Sequence, residues 1–246
     1  FRARPPLPFP SFLLPRRPRS GGSARRPPAG RGPSFRRCRA GRPRAVPPDL
    51  DNTHGVIPLG GPHNASDKAP WLEPEAAFLR EAHQRKLPVL GVCLGCQLLA
   101  TALGGKVEKM QAPEWGLLPV SLNPAGQIDA MLAGVAWTSP QFLTHEHMVS
   151  ELPPEAALLA SSAACKTQVF RAGLRTYGFQ YHFEADRSAI ERYAQREAEV
   201  MARAGLSPEA LGQHLEDHYP MFARLADRLC LNIATLMFPF GRRISA

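Results

Sequence analysis

The segment Pro88-Val-Leu-Gly-Val-Cys93-Leu-Gly95-Cys96-Gln97-Leu-Leu-Ala holds the most chemistry in the chain. An apolar strand, a sharp turn and an apolar helix set Cys93 at the apex of a nucleophile elbow, with Gly91 and Gly95 giving the backbone room to turn. The N-terminus of the following helix stabilises a thiolate there, and the Leu94 amide points where an oxyanion would form. A thiol nucleophile needs a base and a group that orients the base. Tyr177-Gly-Phe-Gln-Tyr-His182-Phe-Glu184 supplies both, because residues two apart on an extended segment project to one side. His182 is placed to take the thiol proton, and Glu184 to fix the imidazole tautomer and stabilise its cation. Cys93 and His182 are 89 positions apart, so only the fold can join them.

The elements that must do this are legible from about Asp49 onward, where apolar runs alternate with helical patterns as in an α/β domain. A strand is expected over 56–59, broken in its ladder by Pro58 and ending in Gly60-Gly61-Pro62. A helix follows over 71–86 with Leu72, Ala76, Leu79 and His83 on one face. The elbow strand covers 88–92, and its helix, 94–103, is closed by Gly104-Gly105. Further strands are expected at 106–109, 117–122, 157–160, 168–171 and 176–181, with loops between them. From Asp186 the pattern is helical to about Met237, interrupted near Gly205, where Ser207 and Pro208 form an N-cap and first-turn pair. Leu225, Leu229, Ile233 and Leu236 make an apolar stripe suited to core packing or to a dimer face. No internal repeat is visible.

Composition narrows the class. The chain has 246 residues, enough for one large domain with appendages, and no apolar run long enough to span a membrane. Its charge of +9 is unevenly placed: residues 1–48 hold 13 Arg, 12 Pro and no acid, whereas the remainder holds 17 basic and 21 acidic residues. Such an Arg/Pro tract cannot build a packed core and is expected to be a disordered tail, a nucleic-acid arm or transit peptide being its other readings. No nucleic-acid partner is expected for the folded part. Five unevenly spaced cysteines do not describe a disulfide framework and fit a reducing, cytoplasmic setting. The expected organisation is a tail over 1–48, an α/β domain over 49–190, and a helical extension over 191–246 packed on the same domain.

Three motifs in order, Gly60-Gly61-Pro62, Gly91-x-Cys93-x-Gly95-x-Gln97 and Gly178-x-Gln180-x-His182-Phe183-Glu184, resemble those of the class I glutamine amidotransferases over roughly residues 50–185. The resemblance implies a flavodoxin-like, mostly parallel sheet with flanking helices and a Cys93, His182, Glu184 triad. It implies an oxyanion hole at the amides of Gly61 and Leu94, with Gly60, Gln97 and His147 as substrate contacts, His147 lying in a loop bordering the glutamine pocket. The implied reaction is attack on the glutamine side-chain amide, ammonia release to a partner synthase or acceptor, and hydrolysis of a γ-glutamyl thioester, with no cofactor. Two departures stand out: Phe183 replaces the family's Pro, and Pro58 replaces an aliphatic strand residue.

Other assignments compete for these residues. A γ-glutamyl peptidase would use the same triad, and an inactive binding domain would keep only the fold. Cys93-x-x-Cys96 also matches a redox pair, which leaves His182, Glu184 and Gly60-Gly61 idle. His145-Glu-His147 offers two histidines, too few for a metal, so no metal site is expected.

Overall fold

The computed structural model describes residues 11–16, 34–39, 46–47, 49–51, 53–65, 67 and 69–238. Its strands are β1 (Ser11–Arg16), β2 (Ser34–Arg39), β3 (Ile57–Pro58), β4 (Val89–Val92), β5 (Lys106–Leu122), β6 (Thr138–Glu151), β7 (Ala157–Ser161), β8 (Val169–Ala172) and β9 (Thr176–Phe179). The helices are α1 (Leu72–Gln84), α2 (Leu94–Ala102), α3 (Pro124–Gln127), α4 (Arg187–Arg196), α5 (Ala198–Arg203) and α6 (Pro208–Leu236), with a 3-10 turn at Ala130–Leu132. Six strands form one sheet in the order β4-β9-β8-β7-β5-β6.

The sheet is mixed, which qualifies the expectation of mostly parallel strands. Parallel pairing joins β4 to β9 and, through a single bridge, Val56 to Val89. The β5, β6, β7, β8 and β9 ladders are antiparallel, as short connections between consecutive strands require. The parallel part is nevertheless where the candidate site residues gather. Gly60, Cys93 and His182 all lie just past the carboxyl ends of β3, β4 and β9, the edge at which open α/β sheets place their ligands.

The strands expected at 106–109 and 117–122 belong to one strand, β5, which bends through a register irregularity between Lys109 and Glu114 and through Gly116 at φ +122°. Its partner β6 was expected as a loop. The stretch Thr144-His-Glu-His147 is polar because its side chains line a cavity, and this disguised its strand character. Within the tract expected to be disordered, β1 pairs antiparallel with both β2 and β3. The rest of that tract lies largely outside the described residues.

Helix α2 is buried along nearly its whole length, packed in one cluster with Leu72, Ala76, Phe78, Leu79 and Ala82 of α1. His83, expected on that face, is half-buried, with its Nδ1 2.9 Å from Thr176 Oγ1. Helix α6 begins as the sequence suggests, Ser207 Oγ accepting from the Ala210 amide and Pro208 occupying the first turn. Leu225, Leu229 and Ile233 of its stripe are buried, while Leu236 is exposed. Asn232 fastens α6 to the 3-10 turn by donating to the Met131 and Ala133 carbonyls.

Glu75 sits among the buried residues of α1, 1% exposed, and its Oε2 has no hydrogen-bond partner among the described residues. Burial pushes its pKa from 4.5 up to about 8. A carboxyl group raised in this way contributes its full stability below pH 4.5 and loses it as pH climbs through 8, because the folded state must then hold a buried charge. Glu75→Gln is therefore expected to flatten the fall in melting temperature between about pH 5 and about pH 9. Melting curves by circular dichroism check this, and an unchanged slope in the variant would count against it.

Candidate active site

Cys93 adopts φ +52° and ψ −112°, a left-handed conformation that costs a non-glycine residue on the order of 1–3 kcal/mol. The surroundings hold it there. Its amide donates to the Phe179 carbonyl at 2.8 Å, and its own carbonyl accepts from the Gln97 amide at 3.1 Å, opening α2. The helix comes so close to the sheet that side chains are excluded at three points. A β-carbon on Gly95 would lie 2.1 Å from the Pro58 carbonyl oxygen, and one on Gly91 2.6 Å from that of Gly95. On the neighbouring strand, a β-carbon at Gly178 would meet Phe170 at 2.2 Å and Cys96 Sγ at 2.8 Å. Cys96 thus packs behind the elbow, fully buried, and burial raises its pKa well above the usual thiol range.

His182 stands across from Cys93, with Gly60 between them and to one side. A β-carbon at Gly60 would be 2.8 Å from His182 Cε1 and 3.4 Å from Cys93 Cβ. The imidazole is buried, and its Nδ1 is 2.7 Å from Glu184 Oε1. His182 and Glu184 meet through a turn rather than an extended segment, closed by the Ala185 amide on the His182 carbonyl at 3.4 Å. Phe183, at the family's proline position, points into the core instead and meets the Phe179 ring edge-on at 5.3 Å. Burial works against the His182 cation, while Tyr193, Glu184 and Cys93 favour it strongly enough to hold its pKa well above 6.5. Burial also raises the pKa of Tyr193 and keeps it a phenol, so Glu184 is the anion that sustains the imidazolium.

Cys93 faces a cavity of about 340 Å3 lined also by Gly61, Leu94, Gln97 and His147, whereas Gly60, His182 and Glu184 lie behind its lining. Leu94 is the first residue of α2, so its amide has no acceptor within the helix and is free for an oxyanion. Gln97 is 4% exposed and its amide nitrogen is committed to the His147 carbonyl at 2.9 Å and to Gln180 Oε1 at 3.1 Å. Its oxygen is the group left to meet a ligand. His147 contributes its carbonyl to this wall, and burial lowers the pKa of its ring.

Several residues around the site escaped the sequence reading. Tyr193 of α4 lies with its ring 5.4 Å from that of His182, under Arg196 at 4.6 Å. Arg196, Glu197 and Val200, at the break between α4 and α5, form the far wall. Glu197 accepts from Thr144 Oγ1, and Arg203 pairs with Glu146 at 2.6 Å, tying this wall to β6. The helical periodicity of these residues resembled an ordinary solvated face. The sequence also offered His145 only as half of a histidine pair, whereas the fold gathers Glu114 and Cys165 around it.

Comparison with known proteins agrees with this geometry. A family model for glutamine amidotransferase class I matches residues 40–197. The glutamine amidotransferase-like protein YfeJ of Salmonella typhimurium is 31% identical over 177 residues, covering 70% of this chain and 72% of that protein. GMP synthase of Porphyromonas gingivalis is 31% identical over 56% of this chain but only 26% of its own length, and gamma-glutamyl peptidase 3 of Arabidopsis thaliana is 27% identical over 60% and 61%. Among solved structures, a glutamine amido transferase from Methylobacillus flagellatus superposes with a TM-score of 0.69 at 25% identity, over 80% of this chain and 82% of that one. With its elbow, its three strand ends and these likenesses taken together, the chain belongs to the class I glutamine amidotransferase family.

Proposed function

We propose that the chain hydrolyses the side-chain amide of glutamine through Cys93. The observation that carries this reading is the left-handed Cys93 beside a buried His182–Glu184 pair, at the wall of one cavity. His182 takes the Cys93 thiol proton on Nε2, the thiolate attacks the amide carbon, and the oxygen that gains charge meets the amides of Leu94 and Gly61. His182 gives its Nε2 proton to the leaving nitrogen, which departs as ammonia and leaves a γ-glutamyl thioester. Water then attacks the thioester, His182 takes a proton from it, and glutamate leaves as the thiol is regained. Glu184 holds the imidazole and balances its charge throughout.

The likeness to GMP synthase supports an ammonia-accepting partner, and a reaction that depends on a free thiol fits a reducing cytoplasm. The likeness to gamma-glutamyl peptidase 3 supports a second reading, in which the same thioester forms from a γ-glutamyl peptide and an amino acid leaves in place of ammonia. The far wall of Arg196, Glu197 and Val200 is the part of the cavity that would meet such a longer substrate.

Ammonia release from glutamine by the purified chain is expected to vanish in Cys93→Ala, and full activity in that variant would refute the nucleophile. Glu184→Gln is expected to cut kcat by roughly 10²-fold or more while leaving KM within a few-fold, because it removes charge from behind His182 and leaves the pocket intact. Rates on glutamine and on γ-glutamyl dipeptides, measured side by side, separate the two readings: a higher kcat/KM for the dipeptide would favour the peptidase.

A further inference from the structure

Glu114 on β5, His145 on β6 and Cys165 in the β7–β8 connection come from distant parts of the sequence and meet inside the protein, their ligand atoms all within 4.8 Å of one another. They are 5%, 6% and 0% exposed. Hydrogen bonding fixes the histidine tautomer. His145 Nδ1 lies 3.0 Å from the His147 carbonyl oxygen, which can only accept, so Nδ1 carries the hydrogen. Nε2 then presents a lone pair. It is buried and, among the described residues, without a hydrogen-bond partner, although Glu114 Oε2 is 3.1 Å away.

The carboxylate is equally committed as an acceptor: Ser162 donates to Oε1 at 2.6 Å and Gln168 donates to Oε2 at 2.8 Å. A neutral imidazole nitrogen facing such an oxygen sets two acceptors against each other, and a cation between them resolves the conflict. A histidine anchored through its other nitrogen to a carbonyl, beside a carboxylate held by its own hydrogen bonds, is the outer arrangement that metal ligands have. One nitrogen, one sulfur and one oxygen donor form a set suited to zinc and its relatives.

We propose that Glu114, His145 and Cys165 bind one zinc-class divalent ion, with water completing the coordination. As the sulfur–metal bond forms, the Cys165 S–H bond breaks and its proton leaves to solvent. The ion would cross-link β5, β6 and the β7–β8 connection behind the cavity wall. His145 Nδ1 and Gln97 both reach the His147 carbonyl, so the cross-link also steadies the wall that Gln97 belongs to. The site contains none of Cys93, His182 and Glu184, so it stands or falls separately from the reaction assigned to them.

The test uses the full chain carrying Cys93→Ser, stripped with chelator and titrated with cobalt(II). The expected result is one ion per chain, with visible bands of tetrahedral cobalt and a near-ultraviolet sulfur-to-cobalt band, both abolished by zinc. Adding Cys165→Ser is expected to remove the sulfur band while the circular dichroism is kept, and Glu114→Gln to weaken cobalt binding by about 10-fold or more. A sulfur band that survives Cys165→Ser, or no bound cobalt, overturns the proposal and leaves a proton to bridge His145 and Glu114. Should Cys165→Ser fail to fold, X-ray absorption of cobalt in the Cys93→Ser chain decides: one sulfur ligand supports the site, and nitrogen and oxygen alone overturn it.

Discussion

The close approach of α2 to the parallel strands is the constraint on which the rest depends. Cys93 can hold φ +52° only because the strand before it and the helix after it are both fixed, and the helix can begin there only because Gly91, Gly95 and Gly178 leave no side chain in its way. The contact between Gly95 and the Pro58 carbonyl extends this to β3, whose end carries Gly60 and Gly61. One tight junction therefore sets the nucleophile, aims the Leu94 amide and positions the glycine loop. His182 enters the same frame through the register of β4 with β9, which pairs Gly91 with Gly178 and Val92 with Phe179. The strain at Cys93 is small beside the burial that maintains it, since α2 and its neighbours hide eight or more apolar side chains at about 0.8 kcal/mol per buried methylene.

What could be read in the sequence was whatever is local. The elbow is one continuous run, Pro88 to Ala100, whose glycines, cysteine and apolar helix all follow from one geometry, and Tyr177 to Glu184 is a single strand end with its turn. The structure sets both at the strand ends beside Gly60. The parts that could not be read depend on partners far along the chain. Strand β6 looks polar because one side of it faces the cavity, and Tyr193, Arg196 and Glu197 look like the outside of a helix because a break after Arg196 turns them inward. Cys165 carries no motif, and only the β7–β8 connection brings it to His145. Leu236 fails for another reason: the buried stripe of α6 continues from Leu225, Leu229 and Ile233 to Met237, 3% exposed, and Leu236 falls one position off it.

Pro58 illustrates how one residue can look wrong locally and be suited to its surroundings. It lacks the amide a central strand would need, yet Val56, two residues earlier, makes the ladder bonds to β4: its amide donates to the Pro88 carbonyl at 2.8 Å and its carbonyl accepts from Leu90 at 3.0 Å. At Pro58 itself the carbonyl is what matters, because Gly95 packs on it. On its other side β3 is met by β1, with Phe12 opposite Pro58 and Leu13 opposite Ile57. Phe183 is similar, since a ring in place of proline fills the core below the turn instead of stiffening it.

The parallel pairing of β4 with β9 also sets an order of events in time. During synthesis the elbow strand and its cysteine leave the ribosome well before β9, and the wall at Arg196, Glu197 and Val200 follows later still. Until β9 docks, the cysteine amide lacks the Phe179 carbonyl that pins it, and the thiol has no imidazole beside it. A nascent or partly unfolded chain therefore carries Cys93 without the backbone conformation and neighbours that the finished fold gives it. The arrangement is complete only once the last parallel strand has closed, so any property that depends on it reports completed folding.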